Sequence, residues 1–535
     1  MPFLLMVFLV LVCLPEPEMW PAPLWTHSPL ACAAATGLTV LAIGVHAFLV
    51  ARHVCKSLAN GSVLREHLLA RYERSRGRQQ LALFALYVLA LLGLGWGWAV
   101  AQLWRSNTAI LPGAELLILS PFVAAQLLAW AAYYDAERAM HQASHRLLAE
   151  APGSGWLELE RTSSTGTVAF GSRASYVLFQ LRQKLALVFL PVLLLLVQRE
   201  LQRLFPQVWQ DWQKALNFLG ITAVLVVFAV MPWLVRLVLG LKPMPCGPLR
   251  QRLEASARRL RFRCSNILVW NTRRGMANAM VVGIVPWIRY VVFTDRLLED
   301  FTPDEIQAVF GHEVGHVRHH HMLYYFSFLT ASVLVLGWLI TDVLAFYLGP
   351  LPFDLSGQSS DCVSAISLVA ALLAYIFVVF GFLSRRCERQ ADVFGCRAVS
   401  CTSPCCRGHD DEVVFAHDGR GLCPTGINIF IRALEKVAAV NGISRDRPGF
   451  LQSWQHASIG RRIEFLQQIQ ADPSVERRFQ RRVFLFKSLL LLLLGVVVAF
   501  IFFHEPQMLS GMAPEKQLDY ELPRMMPIEI ETFGR

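Results

Sequence analysis

Gly311-His312-Glu313-Val314-Gly315-His316, followed by Val317-Arg318-His319-His320-His321, is the stretch on which the reading of the whole chain turns. It holds an H-E-x-x-H pattern. On a helix, histidines at i and i+4 share one face, so two imidazoles can converge on one Zn2+. Glu313 stands beside them, where a carboxylate can take a proton from water activated by the metal. The same letters also suit a solvated, histidine-rich helix end ahead of a membrane span, so context must decide.

The residues just before supply a helix. Thr302 suits an N-cap, Pro303 the first helical position and Glu305 the third, which makes a capping box. Ile306, Val309 and Phe310 then give the helix an apolar stripe. Further upstream, Asn266–Trp270, 277–283 and 288–293 are rich in strand-forming residues. Three short strands ahead of the helix suit a small sheet, and its open edge could hold an extended peptide through main-chain hydrogen bonds. The tract His319-His320-His321 reads as membrane-edge solvation. His320 stands at i+4 from His316, but no glutamate follows His316 to act as base.

The chain has 535 residues, 55% of them hydrophobic and 17% charged, with a mean hydropathy of +0.43. That is too apolar for an ordinary soluble protein, and the apolar residues come in blocks long enough to cross a bilayer. The net charge of +11 is explained by lysines and arginines in cytoplasmic loops. No aromatic-interleaved basic motif argues for nucleic acid.

Apolar runs predict spans near 30–51, 81–104, 112–134, 185–198, 217–241, 322–349, 362–383 and 485–503. Eight spans with both termini outside make every cytoplasmic loop basic. Residues 1–14 are too short to span and lack the basic flank of a secretory signal. The expected order is a membrane region with about five spans (1–241), a first catalytic half (242–321), a transmembrane hairpin (322–383), a second catalytic half (384–484), and a last span with an external tail (485–535).

A catalytic zinc needs a third protein ligand and one open position. The candidate is Glu388, in the segment that carries the 362–383 span back into the cytoplasm. A hairpin that leaves from the H-E-x-x-H helix and returns to the same membrane face brings Glu388 level with His312 and His316. Asp392, one turn further on, can orient a ligand histidine through its second ring nitrogen. The competing reading of Glu388 is an acid among snorkelling arginines at the membrane edge.

His312-Glu313-x-x-His316, Glu388-x-x-x-Asp392 and Asn278-Ala279 together resemble the HtpX-like and CAAX prenyl protease family of integral-membrane zinc metallopeptidases, which are gluzincins. His456-Ala457-Ser458-Ile459-Gly460-Arg461-Arg462-Ile463 resembles a further segment of that family, with Ala457 where proline is common. The resemblance implies that His456 stabilises the oxyanion, that Arg462 supports the site and that Asn278 binds substrate backbone. It covers about 260–470 well and the earlier spans only by hydropathy.

Of twelve cysteines, Cys396, Cys401, Cys405, Cys406 and Cys423 crowd one segment, with His409 and His417 between them. In a reducing compartment this suits a second, structural zinc or a reduced cysteine-rich loop. The spacing fits no standard finger.

The expectation is therefore a mostly α, polytopic membrane protein with a cytosolic α+β zincin-like catalytic domain split by a transmembrane hairpin. It is a zinc endopeptidase in the cell membrane, with its site facing the cytosol. Its partners are the bilayer and membrane-associated peptide or protein substrates, with no nucleic acid. The role is membrane-protein quality control or, alternatively, processing of prenylated C-terminal peptides. A non-catalytic zinc-binding scaffold stands outside both. An intramembrane-cleaving protease fits less well, because Asp304 and Arg318 place the motif in a polar block.

Overall fold

The computed structural model describes residues 20–504 apart from 21, 61–64, 108, 151–170, 185, 273–274, 339–359, 403–405, 407, 410–421, 442, 444 and 447–456. In the N-terminal part, Pro29–Ala59 and Ala114–Glu150 pack along each other. Ser28 caps the first of these helices, with Pro29 in its first turn. Among the described residues, Pro29–Ala59 and Ala114–Met140 are long and apolar enough to cross a membrane. The single span expected at 81–104 is broken instead. Ser75–Leu92 and Trp96–Leu103 meet at an angle of 50°, around Gly95 at a φ of +74° that side-chain-bearing residues rarely adopt. Hydropathy could not show this bend, because the two halves together read as one apolar run.

The C-terminal part joins a small sheet to a set of helices. Its strands are β1 (Lys242–Pro243), β2 (Asn266–Trp270), β3 (Ala279–Val282) and β4 (Tyr290–Thr294). Its principal helices are α1 (Pro248–Arg259), α2 (Pro303–Arg318), α3 (His321–Trp338), α4 (Ser360–Ala398), α5 (Pro424–Val440), α6 (Ile459–Ala471) and α7 (Ser474–His504). The sheet order is β1-β2-β4-β3. β2 and β4 run parallel, from Asn266 opposite Tyr290 to Trp270 opposite Thr294, while β3 lies antiparallel to β4 and forms an edge. All five residues of β4 are buried, as expected of a strand covered on both faces. The three strands expected from the sequence are present; β1, two residues long, is too short to show a period.

α2 begins at the expected capping box: Glu305 N donates to Thr302 Oγ1 (3.3 Å) and Thr302 N to Glu305 Oε2 (3.0 Å). Its apolar stripe lies in the core, where Phe310 meets Phe262 edge-on at 6.0 Å and Phe293 at 6.5 Å between ring centroids. The other side of α2 crosses α4 at backbone contact. A β-carbon on Gly315 would lie 2.9 Å from Phe394 Cβ and 3.1 Å from Ala391 Cα. One on Gly311 would strike the Ala398 side chain, and one on Gly395 would lie 3.0 Å from Ala308 O. Contacts this short exclude any side chain at these positions without moving a helix.

Candidate metal centre

The α2–α4 crossing sets the site. His312 and His316 stand one turn apart on α2, and α4 presents Glu388 to them. His312 Nε2 and His316 Nε2 are 3.2 Å apart. One Glu388 oxygen lies 3.7 Å from His312 Nε2 and the other 3.6 Å from His316 Nε2. Donors bound tetrahedrally to one zinc at about 2.0–2.1 Å stand about 3.3–3.4 Å from one another, so two nitrogens and a carboxylate at these separations fit that ion. The side chain of Glu388 is 5% exposed, against 12% for His312 and 22% for His316. The opening to solvent is therefore on the histidine side.

Each histidine has a partner at its far nitrogen. His312 Nδ1 lies 3.0 Å from Asp392 Oδ1. Arg462 in α6 holds that carboxylate with two nitrogens, Nε to Oδ2 at 2.9 Å and Nη2 to Oδ1 at 2.5 Å. Arg462 also comes within 3.7 Å of Glu388. Burial works against charge on His312, but Asp392 and Glu388 outweigh it and hold its pKa above the ordinary imidazole value. Burial likewise works against the Asp392 carboxylate, yet Arg462 and His312 keep its pKa below the usual range. An ionised Asp392 at 3.0 Å favours the proton on Nδ1 of His312 and so the lone pair on Nε2, toward the donor cluster. Phe430 of α5 stacks on the His312 ring at 5.8 Å and 23°.

His316 is oriented by a second chain of contacts that begins on α7. Lys487 Nζ lies 2.8 Å from Gln390 Oε1, and since an ammonium only donates, that atom is an acceptor. His321 Nε2 is 3.1 Å from the same oxygen, so it carries a proton. Burial, then the neighbouring His316 and Lys487, push the pKa of His321 well below its ordinary value. A neutral His321 protonated at Nε2 has a lone pair on Nδ1, which stands 2.9 Å from His316 Nδ1. His316 Nδ1 therefore donates, and its Nε2 lone pair is left for a metal.

The histidine tract is thus not all membrane-edge solvation. His320 is exposed at a φ of +53°, and the turn it makes between α2 and α3 returns the fully buried His321 to His316. Sequence reading missed His321, Gln390, Lys487 and Phe430. The one available signal was Lys487, a lone cation near the start of an apolar run.

Asn278 is exposed and immediately precedes the edge strand β3; its carbonyl accepts from Thr294 N at 3.0 Å. β3 packs against α2. Ala457, where the resembled family commonly has proline, has a φ of +61°, a value closed to proline. His456 and Cys405 lie outside the described residues. Cys396 is fully buried in the apolar core with Ile427 and Phe430. Cys401, Cys406, His409 and Cys423 form a second group of potential metal donors.

Two imidazoles and a carboxylate stand at metal-ligand spacing, with a glutamate next to the first histidine. Residues 246–470 match the model of Peptidase family M48. The CAAX prenyl protease 1 homolog of Arabidopsis thaliana is 33% identical over 94 residues, which cover 17% of this chain and 22% of that protein. The Protease HtpX homolog of Pyrobaculum aerophilum is 28% identical over 181 residues, covering 33% and 49%. The chain thus spans about half or less of the length of these curated relatives. The crystal structure of S. mikatae Ste24p aligns over 83% of this chain and 99% of that one, with a TM-score of 0.42 and 16% identity.

Proposed function

We propose that the chain is a multi-pass membrane zinc endopeptidase. The observation that carries this reading is the convergence of His312, His316 and Glu388, with Glu313 one residue along the same helix. His312, His316 and Glu388 would hold the ion; when bound, zinc supplies Lewis-acid activation of water and of the scissile carbonyl. Glu313 takes a proton from the attacking water and hands it to the leaving amine. Asp392, braced by Arg462, and His321, braced by Gln390 and Lys487, keep the two histidines in the tautomer that binds metal.

Asn278 and the free edge of β3 hold the substrate backbone in extended form. His456 stabilises the oxyanion, a role supported by the sequence resemblance alone. Residues 242–321 and 384–484 form the two halves of the catalytic unit, facing the cytosol beside a transmembrane hairpin at 322–383. The region 1–241 and the segment 485–535 supply the remaining spans. Relatives named for HtpX and for CAAX prenyl protease both support the reading, and they leave two substrate classes: membrane proteins under quality control, or prenylated C-terminal peptides.

The test is cleavage of a casein-like substrate by the purified chain in detergent. Activity abolished by a chelator and restored by zinc is the expected result. Cleavage that survives full metal removal excludes the mechanism.

A further inference from the structure

A second set of donors converges where α4 gives way to α5. Cys401 Sγ, Cys406 Sγ, a ring nitrogen of His409 and Cys423 Sγ all lie within 4.8 Å of one another. Cys423 Sγ is 3.4 Å from His409 Nε2. None of these three cysteines is in a disulfide. Cys401 and Cys423 are buried, while Cys406 and His409 are partly covered.

Three thiols and an imidazole are the Cys3His set of closed, structural zinc sites. There, bonds of about 2.3 Å to sulfur and 2.0–2.1 Å to nitrogen set the donors roughly 3.4–3.8 Å apart. The Cys423–His409 separation is already of that size and no pair of the four exceeds 4.8 Å, whereas a disulfide would use two of the sulfurs and leave the third sulfur and the imidazole beside them. The surroundings are built around Cys423 in particular. It caps α5, and its sulfur accepts from Gly426 N at 3.3 Å. Cys423 N donates to Ser400 Oγ (3.1 Å), and Ser400 Oγ donates to Cys396 O (2.8 Å). A β-carbon on Gly426 would lie 3.0 Å from Cys396 O and would strike Ser400 Oγ. The start of α5 is therefore pressed onto the end of α4.

We propose that Cys401, Cys406, His409 and Cys423 hold a structural Zn2+ that staples the C-terminal end of α4 to the N-terminal end of α5. Binding exchanges the water ligands of the ion for three thiolates and one neutral imidazole. It releases three thiol protons, including the one that Cys406 donates to Gly408 O at 2.9 Å. The staple lies in the same two helices that shape the first site: α4 carries Glu388 and Asp392, and α5 carries Phe430, which stacks on His312. The inference stands on its own donors and does not depend on the peptidase reading.

The test uses the full chain, purified in detergent under reducing conditions, with zinc measured by elemental analysis and Co2+ then exchanged in. A His312→Ala/His316→Ala variant is expected to keep one metal per chain and a thiolate-to-cobalt charge-transfer band. Cys423→Ser is expected to lose that band. Cys406→His, which swaps one donor for another, is expected to keep the metal with a weaker band, so that a folding defect is not mistaken for a lost ligand. A His312→Ala/His316→Ala variant that folds but binds no metal, or binds cobalt without the band, overturns the proposal. So does a disulfide among these cysteines in the reduced preparation.

Discussion

Gly315 and Ala391 meet with no room for a side chain between them: a β-carbon on Gly315 would lie 3.1 Å from Ala391 Cα. That contact lets α2 and α4 cross closely enough for Glu388 to reach the two histidines. Gly315→Val is therefore expected to part the helices and lower zinc content well below one per active site. The overpacking costs about 1–3 kcal/mol. Elemental analysis and thermal unfolding check both effects; full zinc content with an unchanged Tm would contradict the role given to this crossing.

Arg462 secures Asp392 and, through it, His312. Arg462→Met leaves a buried carboxylate without its cation and is expected to destabilise the protein by about 3–5 kcal/mol. The pH dependence has a definite sign. The folded pKa of Asp392 lies below its ordinary value, with burial opposing and Arg462 and His312 prevailing. The pair's stabilisation is thus full above the usual carboxylate range and is lost as pH falls through the depressed value. Denaturant titrations at neutral and acidic pH should show the wild-type advantage over Arg462→Met shrinking as acid is added. A gap that widens instead would count against it.

The second orienting chain makes a separate prediction. His321→Phe keeps the ring's bulk but removes the acceptor for His316 Nδ1, and Gln390→Leu removes the acceptor that fixes His321. Each is expected to weaken zinc binding about 10–100-fold, as loss of a ligand's hydrogen-bond partner does elsewhere. Competition with a chromogenic chelator measures this. Wild-type affinity in both variants would reduce the chain of contacts to packing.

The parts of this site that were legible in the sequence are those fixed by local rules. The capping box at Thr302 and Glu305, the i, i+4 pair His312 and His316, and the three strands follow from spacing and propensity. Glu388 and Asp392 were found by pairing two apolar runs into a hairpin, and by resemblance. The break at Gly95 was hidden because the apolar residues on both sides read as one span. The roles of His321, Gln390 and Lys487 were hidden for another reason: they depend on a positive φ at His320 and on α7 meeting α4, and neither leaves a periodic trace. His409 completes the cysteine group at a spacing that matches no common motif, so only three-dimensional proximity singles it out.

The central claim is that zinc at His312, His316 and Glu388 works with Glu313 as base, and Glu313→Gln tests it most directly. The purified variant and wild type are compared for bound zinc and for cleavage of a casein-like substrate. The expected result is unchanged zinc at the first site with cleavage reduced by about 10²–10⁴-fold. Undiminished cleavage by the variant would contradict the claim.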